Sequence, residues 1–482
     1  MDKLLRRNFV YNFITQVLTV LTPFIISPYI SRVFNVQLIG DYNYCYAIVS
    51  IFALFANMGI SIYGVPAIAK FKESKEERSK IFLELLLIKL IFAMISIVIY
   101  FLFIVFVFEA RYRIYFSLFC IYILSTLFDI TWFFQAMENF KIICIRTIII
   151  KAISLFCIFA FVNDIGDMNL YIFINMISIL LPNILLFPTL KGKVFFKKYK
   201  LDIKKHLKPI FALLLPGIAY TFYAMIDKTM IKMITGNTIE VGYYEQAYKI
   251  AFIGVTIISV FATVLASRIS SMKNDDEIRD LHKISYCIVT YITIPMLIGM
   301  MLLANYFIPA YYGLGYEGSI NILKIFAPLP FIMGISNFVS YQYFIPKIIT
   351  KPQIIVIFSS IVLNIILNFI FIKLYGGFGA ALATIISETF ISVCYIIVYS
   401  KFQSISNIFK YTYKSIISGI ITFCLVSFLI NNIPCISLFL FIIYILIILI
   451  LFFFSLFFLQ DVMLIKILEN LMNKFKEVKN DK

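Results

Sequence analysis

Long apolar runs recur along almost the whole chain, and they constrain its fold more than any other feature. Of the 482 residues, 62% are hydrophobic and only 14% are charged, whereas soluble domains contain about 25% charged residues. A soluble core cannot bury so many apolar side chains, but a bilayer accepts a helix of about 20 apolar residues at each crossing. The sequence therefore predicts an all-α polytopic membrane protein.

Charged residues, prolines and glycines divide the apolar runs into about fourteen predicted transmembrane helices. Their predicted ranges are 8–30, 42–65, 81–107, 113–134, 144–162, 170–189, 209–233, 243–265, 284–305, 320–345, 353–374, 378–400, 412–431 and 435–459. With an even number of crossings, both termini lie on the same side of the membrane.

The basic residues are distributed unequally between the two sets of loops. The segments on the side of the termini contain 32 Lys and Arg residues, and the opposite loops contain 4. Because cytoplasmic loops accumulate Lys and Arg, both termini are predicted to be cytoplasmic. The net charge of +17 then arises mainly from the basic residues of the cytoplasmic loops. Since no aromatic-interleaved basic motif accompanies it, we expect no nucleic-acid partner.

A basic segment separates two similar halves of the chain. Residues 39–48 align with 241–250 at an offset of 202, and the same offset superimposes predicted helices of the two halves. Equivalent positions are six crossings apart, so the halves are predicted to be parallel repeats, which in transporters enclose a substrate path. We therefore predict an N-terminal lobe, a basic cytoplasmic linker, a C-terminal lobe, two extra helices and a cytoplasmic tail, at residues 1–189, 190–208, 209–400, 412–459 and 460–482.

Polar residues recur on one face of several predicted helices. Asn12 and Gln16 belong to such a face in the first helix, and Asn57 belongs to one in the second. A polar face of this kind either lines a wet cavity or supplies hydrogen bonds to neighbouring helices. For single residues the second interpretation is favoured, whereas stripes in both halves favour a cavity.

Ionisable residues inside the predicted helices are the main candidates for function, because each costs ~2.5–3.5 kcal/mol at mid-bilayer unless it is paired or hydrated. The candidates are the cations Lys89, Lys151, Lys228, Lys249 and Lys324 and the acids Asp129, Asp227 and Glu388. The lysines outnumber the acids, so we expect a cationic path suited to a phosphate-bearing substrate. The acids are candidates for ion or proton coupling, because burial favours a protonated carboxyl. The alternative is that they form structural ion pairs.

No catalytic or metal-binding pattern occurs in the sequence. The eight cysteines are scattered without paired spacing. The two histidines, His206 and His282, are predicted to lie in charged connecting segments, away from any membrane-embedded site. We therefore expect a transporter and not an enzyme, with neither a metal site nor a cofactor.

Five motifs occur in order along about 400 residues of the chain. They are PYISRVFNVQLIGDYNY (28–44), FANMGISIYGVPAIAK (55–70), DITWFFQAMENFK (129–141), DKTMIKMITGNTIEVGYYEQAYKI (227–250) and ASRIS (266–270). Together they resemble the polysaccharide-biosynthesis flippases of Wzx type, which belong to the MOP superfamily with the MATE exporters and the lipid II flippases. The chain departs from the family pattern at Pro66, Ala136 and Lys232, where Arg, Gly and Gly are usual.

The resemblance implies two six-helix lobes that face each other in a V, followed by two C-terminal helices. It also implies that the chain flips undecaprenyl-pyrophosphate-linked oligosaccharide repeat units of O-antigen or capsule from the cytoplasmic to the outer leaflet of the bacterial plasma membrane. The implied partners are this substrate and membrane lipid. Whether a polysaccharide polymerase and a chain-length regulator are also partners is left open. The alternative is a MATE-like ion-coupled exporter of small molecules, which would favour acids over lysines in its cavity.

Overall fold

The computed structural model describes residues 3–107, 109–269, 272, 274–347, 349–435 and 437–465, with the backbone alone at some helical positions. The described residues form helices and no strand, so the predicted all-α fold is confirmed. They divide into two compact units, Met1–Gly242 and Tyr243–Lys482.

The first unit is built from helices α1 to α9. Their bounds are α1 Lys3–Val33, α2 Val36–Asn57, α3 Ile60–Ala69, α4 Lys75–Phe106, α5 Arg113–Phe128, α6 Thr131–Ala136, α7 Phe140–Phe161, α8 Met168–Ile184 and α9 Lys204–Thr235. Short 3-10 turns at Ala110–Tyr112, Ile165–Asp167 and Phe187–Leu190 belong to the connections.

The second unit is built from the remaining helices, of which α10 begins at the end of the first unit. Their bounds are α10 Ile239–Ile269, α11 Asp275–Tyr312, α12 Gly318–Phe326, α13 Leu329–Val339, α14 Thr350–Tyr399, α15 Ile405–Asn432 and α16 Leu438–Phe458. A single π turn, Ser340–Phe344, follows α13. Gly376 in α14 has a φ of 58°, so this segment consists of two helices joined at a kink.

Helices α4 and α11 begin where the sequence supplies capping side chains and acids. Ser74 precedes α4, and its hydroxyl accepts a hydrogen bond from the Glu77 amide. Asn274 precedes α11, and its side chain accepts from the Asp276 amide at 3.0 Å. These caps satisfy amides that have no partner inside the helix, and the acids of the first turn complement the helix dipole.

Eleven helical stretches of the described residues are long and apolar enough to cross a membrane. One of them contains both helices of α14. Helices α1 and α9, with 31 and 32 residues, are not among the eleven. The chain is thus a multi-pass membrane protein, and the number of fourteen crossings stays a prediction.

Helix α16 has one face that packs on other helices and a remaining surface that is exposed. Its buried residues Tyr444, Ile448, Phe452 and Leu456 recur every four positions and pack with α11 and α15. The rest of its surface exposes large apolar side chains such as Phe439. A helix with an apolar surface all round is typical of a membrane span, because lipid covers the face that protein does not.

Helix α9 is fixed to the first unit at its start by a buried carboxylate, which we call the Glu84 cluster. Glu84 of α4 accepts hydrogen bonds from the Asp202 amide and from His206 Nε2, both at 2.8 Å, and its Oε2 lies 2.8 Å from Lys205 Nζ. The other ring nitrogen of His206 lies 2.9 Å from the hydroxyl of Tyr63 in α3. The cluster therefore joins α3, α4 and the start of α9.

A second carboxylate, in what we call the Asp41 cluster, holds the connection that follows α9. Asp41 Oδ1 accepts from the Thr238 hydroxyl at 2.6 Å, from Arg111 at 2.7 Å and from the Tyr112 hydroxyl at 3.1 Å. These contacts explain why α9 packs with the first unit. The sequence, by contrast, grouped this helix with the lobe 209–400, and the division into two repeated lobes stays a prediction.

Two glycines next to the Asp41 cluster allow the starts of α2 and α10 to approach closely. A Cβ atom on Gly40 would lie 1.8 Å from the Thr238 carbonyl oxygen, and a Cβ atom on Gly242 would lie 2.4 Å from that of Val36. The offset of 202 that relates the two glycines also relates Val36 to Thr238. The contact is thus reciprocal, which only residues without a side chain permit.

Candidate functional site

Three predicted spans are broken within their length. The breaks lie at Met58–Gly59 between α2 and α3, at Asp129–Ile130 between α5 and α6, and at Ala327–Pro328 between α12 and α13. A break frees backbone amide and carbonyl groups, which at membrane depth must be buried in protein or face a wet cavity. Each break adjoins a residue that the sequence singled out: Asn57, Asp129 and Lys324.

The first two breaks meet at the side chain of Asp129, and we call this group the Asp129 cluster. Asp129 Oδ1 accepts from the Thr131 amide at 2.9 Å and from the Thr131 hydroxyl. Its Oδ2 lies 3.4 Å from the hydroxyl of Ser61, which also donates to Asn57 Oδ1 at 3.0 Å. The carboxylate therefore links the ends of two interrupted helices.

Lys89 of α4 completes the Asp129 cluster. Its side chain is fully buried, and its ammonium group donates to the Asp129 backbone carbonyl at 2.7 Å. The indole of Trp132 donates to the same carbonyl at 3.2 Å. A buried cation thus satisfies a carbonyl that the break left without a helical partner, so the structure places Asn57, Lys89 and Asp129 together.

Arg146 of α7 is a second cation of this region, and sequence reasoning did not single it out although it lies within the predicted helix 144–162. Its guanidinium donates to the Pro182 carbonyl and, at 3.3 Å, to Asn183 Oδ1. Its buried Nε has no hydrogen-bond partner within the described part of the chain. Both Lys89 and Arg146 interact electrostatically with Asp129. The position of Arg146 as a charged residue inside the predicted helix 144–162 is the signal that could have singled it out.

The other candidates of the first unit are Asn12, Gln16, Lys151, Asp227 and Lys228. The side chains of Asn12 and Gln16 lie outside the described residues. Lys151 of α7 is half-buried, and among the described contacts its ammonium group has no hydrogen bond or ion pair. Asp227 and Lys228 are buried side chains of α9.

Two candidate lysines belong to the second unit. Lys249 lies 3.8 Å from Glu245 and 3.5 Å from Gln246, both on the same helix. Lys324 is half-buried in the last turn of α12, immediately before the third break. No hydrogen bond or ion pair of its ammonium group occurs in the part of the chain that the structure describes.

Glu388 lies in a buried polar stripe along the second half of α14. Its members Thr384, Ser387, Glu388 and Ser392 are all buried. Ser392 donates to the Ile332 carbonyl at 2.7 Å, which is a hydrogen bond between helices. Ser387 Oγ, in contrast, is buried with no partner among the described atoms. One stripe therefore combines helix-to-helix contacts with unsatisfied polar atoms.

An apolar cavity of about 490 Å³ lies between α11 and α16 in the second unit. Its lining includes Pro295, Met300, Phe307, Phe441 and Ile448. Its volume falls in the range of about 300–1,000 Å³ that is typical of small-molecule pockets. The lining can hold a hydrocarbon chain and has no charged side chain.

The predicted positions of both histidines were wrong. His206 is buried in α9 within the Glu84 cluster, and His282 is buried in α11, where it lies 2.7 Å from the Tyr399 hydroxyl. Charged neighbours at the ends of long helices made these segments look like loops. Among the described residues, no group of three His, Cys, Asp or Glu side chains could hold a metal ion.

Apolar membrane helices that are interrupted beside buried charges are typical of membrane transporters. The chain belongs to the polysaccharide biosynthesis protein family, whose sequence model matches residues 5–273. The resemblance found in the motifs is thereby confirmed.

Two curated relatives extend over most of the chain. A protein of Escherichia coli (strain K12) named "Putative O-antigen transporter" is 22% identical over 394 residues, which are 80% of this chain and 95% of the relative. A protein of Shigella dysenteriae with the same name is 23% identical over 80% of this chain and 98% of the relative. Both relatives are named as transporters and not as enzymes.

Solved structures show the same fold. The lipid II flippase MurJ in an inward closed conformation overlaps with a TM-score of 0.71 at 20% identity, and the match covers 94% of this chain and 99% of MurJ. An outward-facing multidrug resistance MATE family transporter of the MOP superfamily overlaps with a TM-score of 0.55 at 14% identity, over 83% of this chain and 95% of the transporter.

Proposed function

We propose that this protein flips undecaprenyl-pyrophosphate-linked oligosaccharide repeat units from the cytoplasmic to the outer leaflet of the bacterial plasma membrane. The observation that carries the proposal is the extent of the fold match. A flippase named for a lipid-linked substrate overlaps 94% of the chain, whereas the MATE structures overlap 82–84%. The family and the names of the curated relatives support a substrate that belongs to surface-polysaccharide assembly.

In this proposal the protein opens alternately to the two sides of the membrane, and the diphosphate of the substrate moves along the embedded lysines between two lobes. Lys151 and Lys324 support it, because both are half-buried and neither has an acid partner within the described residues. Diphosphate oxygens form charge-assisted hydrogen bonds with such cations. The proposed path continues along Lys89, Lys228 and Lys249, with the polar side chains of Asn12, Gln16 and Asn57.

The apolar cavity between α11 and α16 is the proposed place for part of the polyprenyl chain. Its lining carries no charge, and about 490 Å³ admits a hydrocarbon segment. A lipid tail that stays in an apolar channel keeps its hydrophobic contacts while the head group crosses the membrane. In this proposal both termini of the protein lie in the cytoplasm, as the asymmetry of Lys and Arg predicts.

Asp129 is the proposed coupling residue, and Asp227 and Glu388 are further candidates. Asp129 lies at one helix break and contacts Ser61 of a second, and its charge acts on Lys89 and Arg146 through space. Protonation would remove a negative charge next to Lys89 and Arg146 and would make this region more attractive to an anionic substrate. Proton binding and substrate binding would thus be coupled through one carboxyl group.

The alternative function is ion-coupled export of small molecules, as in the MATE structures that share the fold. The overlap with a TM-score of 0.55 favours it, but the excess of embedded lysines over acids suits an anionic substrate better. A deletion strain separates the two functions. Flipping predicts that lipid-linked oligosaccharide accumulates inside the cell, whereas drug export predicts increased sensitivity to toxic cations with normal surface polysaccharide.

Complementation of that strain tests the lysines. Changing Lys249 or Lys324 to Ala should lower polysaccharide export about tenfold or more, because one charge-assisted contact contributes ~1.5–3 kcal/mol. Lys373, which is exposed, is the matched control, and Lys373→Ala should export normally. Normal export by both test variants at normal protein level would remove these lysines from the proposed path.

Flipping in proteoliposomes under an imposed pH step tests Asp129. Asp129→Asn should bind substrate yet no longer respond to the pH step, because the amide cannot be protonated at neutral pH. Glu73→Gln, at an exposed position outside the Asp129 cluster, should respond like the wild type. A folded Asp129→Asn protein that also responds like the wild type would exclude coupling at this residue and leave the proposed substrate intact.

A further inference from the structure

The connection between α8 and α9, together with the first turn of α9, presents a dense basic surface that the proposed transport path does not use. Residues 191–208 contain eight lysines and one acid, Asp202. Five of these lysines are exposed and have no acid partner within the described part of the chain; they are Lys191, Lys198, Lys200, Lys204 and Lys208. We call residues 191–208 the basic segment.

The backbone of the basic segment is held in place although it is not helical before α9. Arg78 donates to the Lys193 carbonyl at 3.0 Å, and the Phe195 amide donates to the Ser79 hydroxyl at 2.8 Å. The Asp202 amide donates to Glu84 at 2.8 Å. Three residues of α4, Arg78, Ser79 and Glu84, thus fix the backbone of the segment, so the surface that its lysines form is preformed.

Aromatic rings lie among these lysines. Phe196 exposes 65% of its surface. Phe195 lies beneath two ammonium groups, with Lys75 at 3.8 Å and Lys197 at 5.0 Å from the ring centroid. Exposed aromatic side chains beside lysines are typical of proteins that contact the interface of a bilayer, where rings enter the head-group layer and cations contact phosphates.

The basic residues around the start of α11 in the second unit are different. Arg279 pairs with Asp276 at 2.9 Å, Lys283 with Asp280 at 2.5 Å and Lys347 with Asp275 at 3.2 Å. There the positive charge is neutralised by acids of the same region. The basic segment therefore differs from the start of α11, because five of its lysines have no acid partner among the described residues.

We propose that the basic segment binds a membrane surface rich in anionic phospholipid, with the lysines on the phosphates and Phe196 in the head-group layer. The charge is complementary, the surface is preformed, and the segment directly follows the membrane-spanning stretch Ile165–Leu190, so the bilayer surface is close to it. This docking would fix the first unit relative to the membrane surface. It is independent of the substrate that the protein transports.

The test uses the full chain, purified in a mild detergent, with phosphatidylglycerol or phosphatidylcholine added and bound lipid counted by native mass spectrometry. We expect the wild type to prefer phosphatidylglycerol. The triple variant K198Q/K200Q/K204Q should lose on the order of a hundredfold in apparent affinity, because each lysine at an anionic surface contributes roughly fivefold. Phe196→Ser should weaken the binding of both lipids and keep the preference.

The control variant is K351Q/K401Q/K410Q, which removes the same charge at exposed positions of the second unit. It should keep the affinity of the wild type. Equal losses in the two triple variants would show that net charge alone attracts the lipid and would overturn the proposal. An unchanged affinity in K198Q/K200Q/K204Q, or equal binding of both phospholipids by the wild type, would overturn it as well.

Discussion

The two ends of helix α9 are held by the same kind of group in different surroundings. Glu84, near its start, is 0% exposed and uses both carboxylate oxygens. Asp41, near the loop after its end, is 7% exposed and makes its three contacts through one oxygen, and its partner Arg111 is 47% exposed. Burial, and not the number of contacts, should therefore decide how strongly each end is held.

The physical reason is the availability of water after a partner is lost. If Glu84 is removed, His206 and the Asp202 amide lose an acceptor, and the histidine is buried. A buried polar group without a partner bears the full desolvation penalty. If Asp41 loses its charge, the exposed guanidinium of Arg111 can turn to water. The start of α9 should therefore be the more costly end to disturb.

Glu84→Ala should give the largest loss of stability, about 2–4 kcal/mol, because it removes the buried acceptor of His206 Nε2 and of the Asp202 amide. The measurement is the free energy of unfolding by denaturant titration in detergent. Glu76→Ala on the same helix is the control. Glu76 is 70% exposed and lies 3.9 Å from Lys197, so its loss should cost less than about 1 kcal/mol. Similar losses in the two variants would contradict the role of burial.

Gly40→Ala should give the next largest loss, about 1–3 kcal/mol, because its methyl group would meet the Thr238 carbonyl in a close-packed crossing. Gly242→Ala should cost somewhat less, since the distance to the Val36 carbonyl is longer. Gly166 has no atom within 4 Å of an added Cβ, and Gly166→Ala serves as the control in the same unfolding experiment. A neutral Gly40→Ala variant would show that the starts of α2 and α10 can separate freely.

Asp41→Asn should have the smallest effect, about 1–2 kcal/mol, because the amide oxygen still accepts a hydrogen bond from Thr238 while the charge opposite Arg111 is lost. Amide hydrogen exchange would locate the effect, with faster exchange expected in residues 236–242 and no change in residues 202–207. A loss of unfolding free energy equal to that of Glu84→Ala would show that the exposure of Arg111 does not lower the cost of changing Asp41.

Much of the candidate site could be predicted one residue at a time. Lys89, Asp129 and Asn57 stand out because charged and polar groups are rare in apolar runs, and the structure places these three together. Their particular contacts could not be predicted. The breaks at Met58–Gly59 and Asp129–Ile130 bring Ser61 and a free carbonyl to the carboxylate, and the sequence indicated two continuous helices instead.

The sequence by itself determined that the chain crosses the membrane many times, because transfer of an apolar run into lipid depends on local composition alone. It also determined the family, through motifs that follow one another along the chain. Only the tertiary structure decided that Glu84 and His206 meet, that Arg146 lies near Asp129, and that α9 packs with the first unit. These facts depend on the rotation and depth of each helix, which are set by packing against neighbours far away in the sequence.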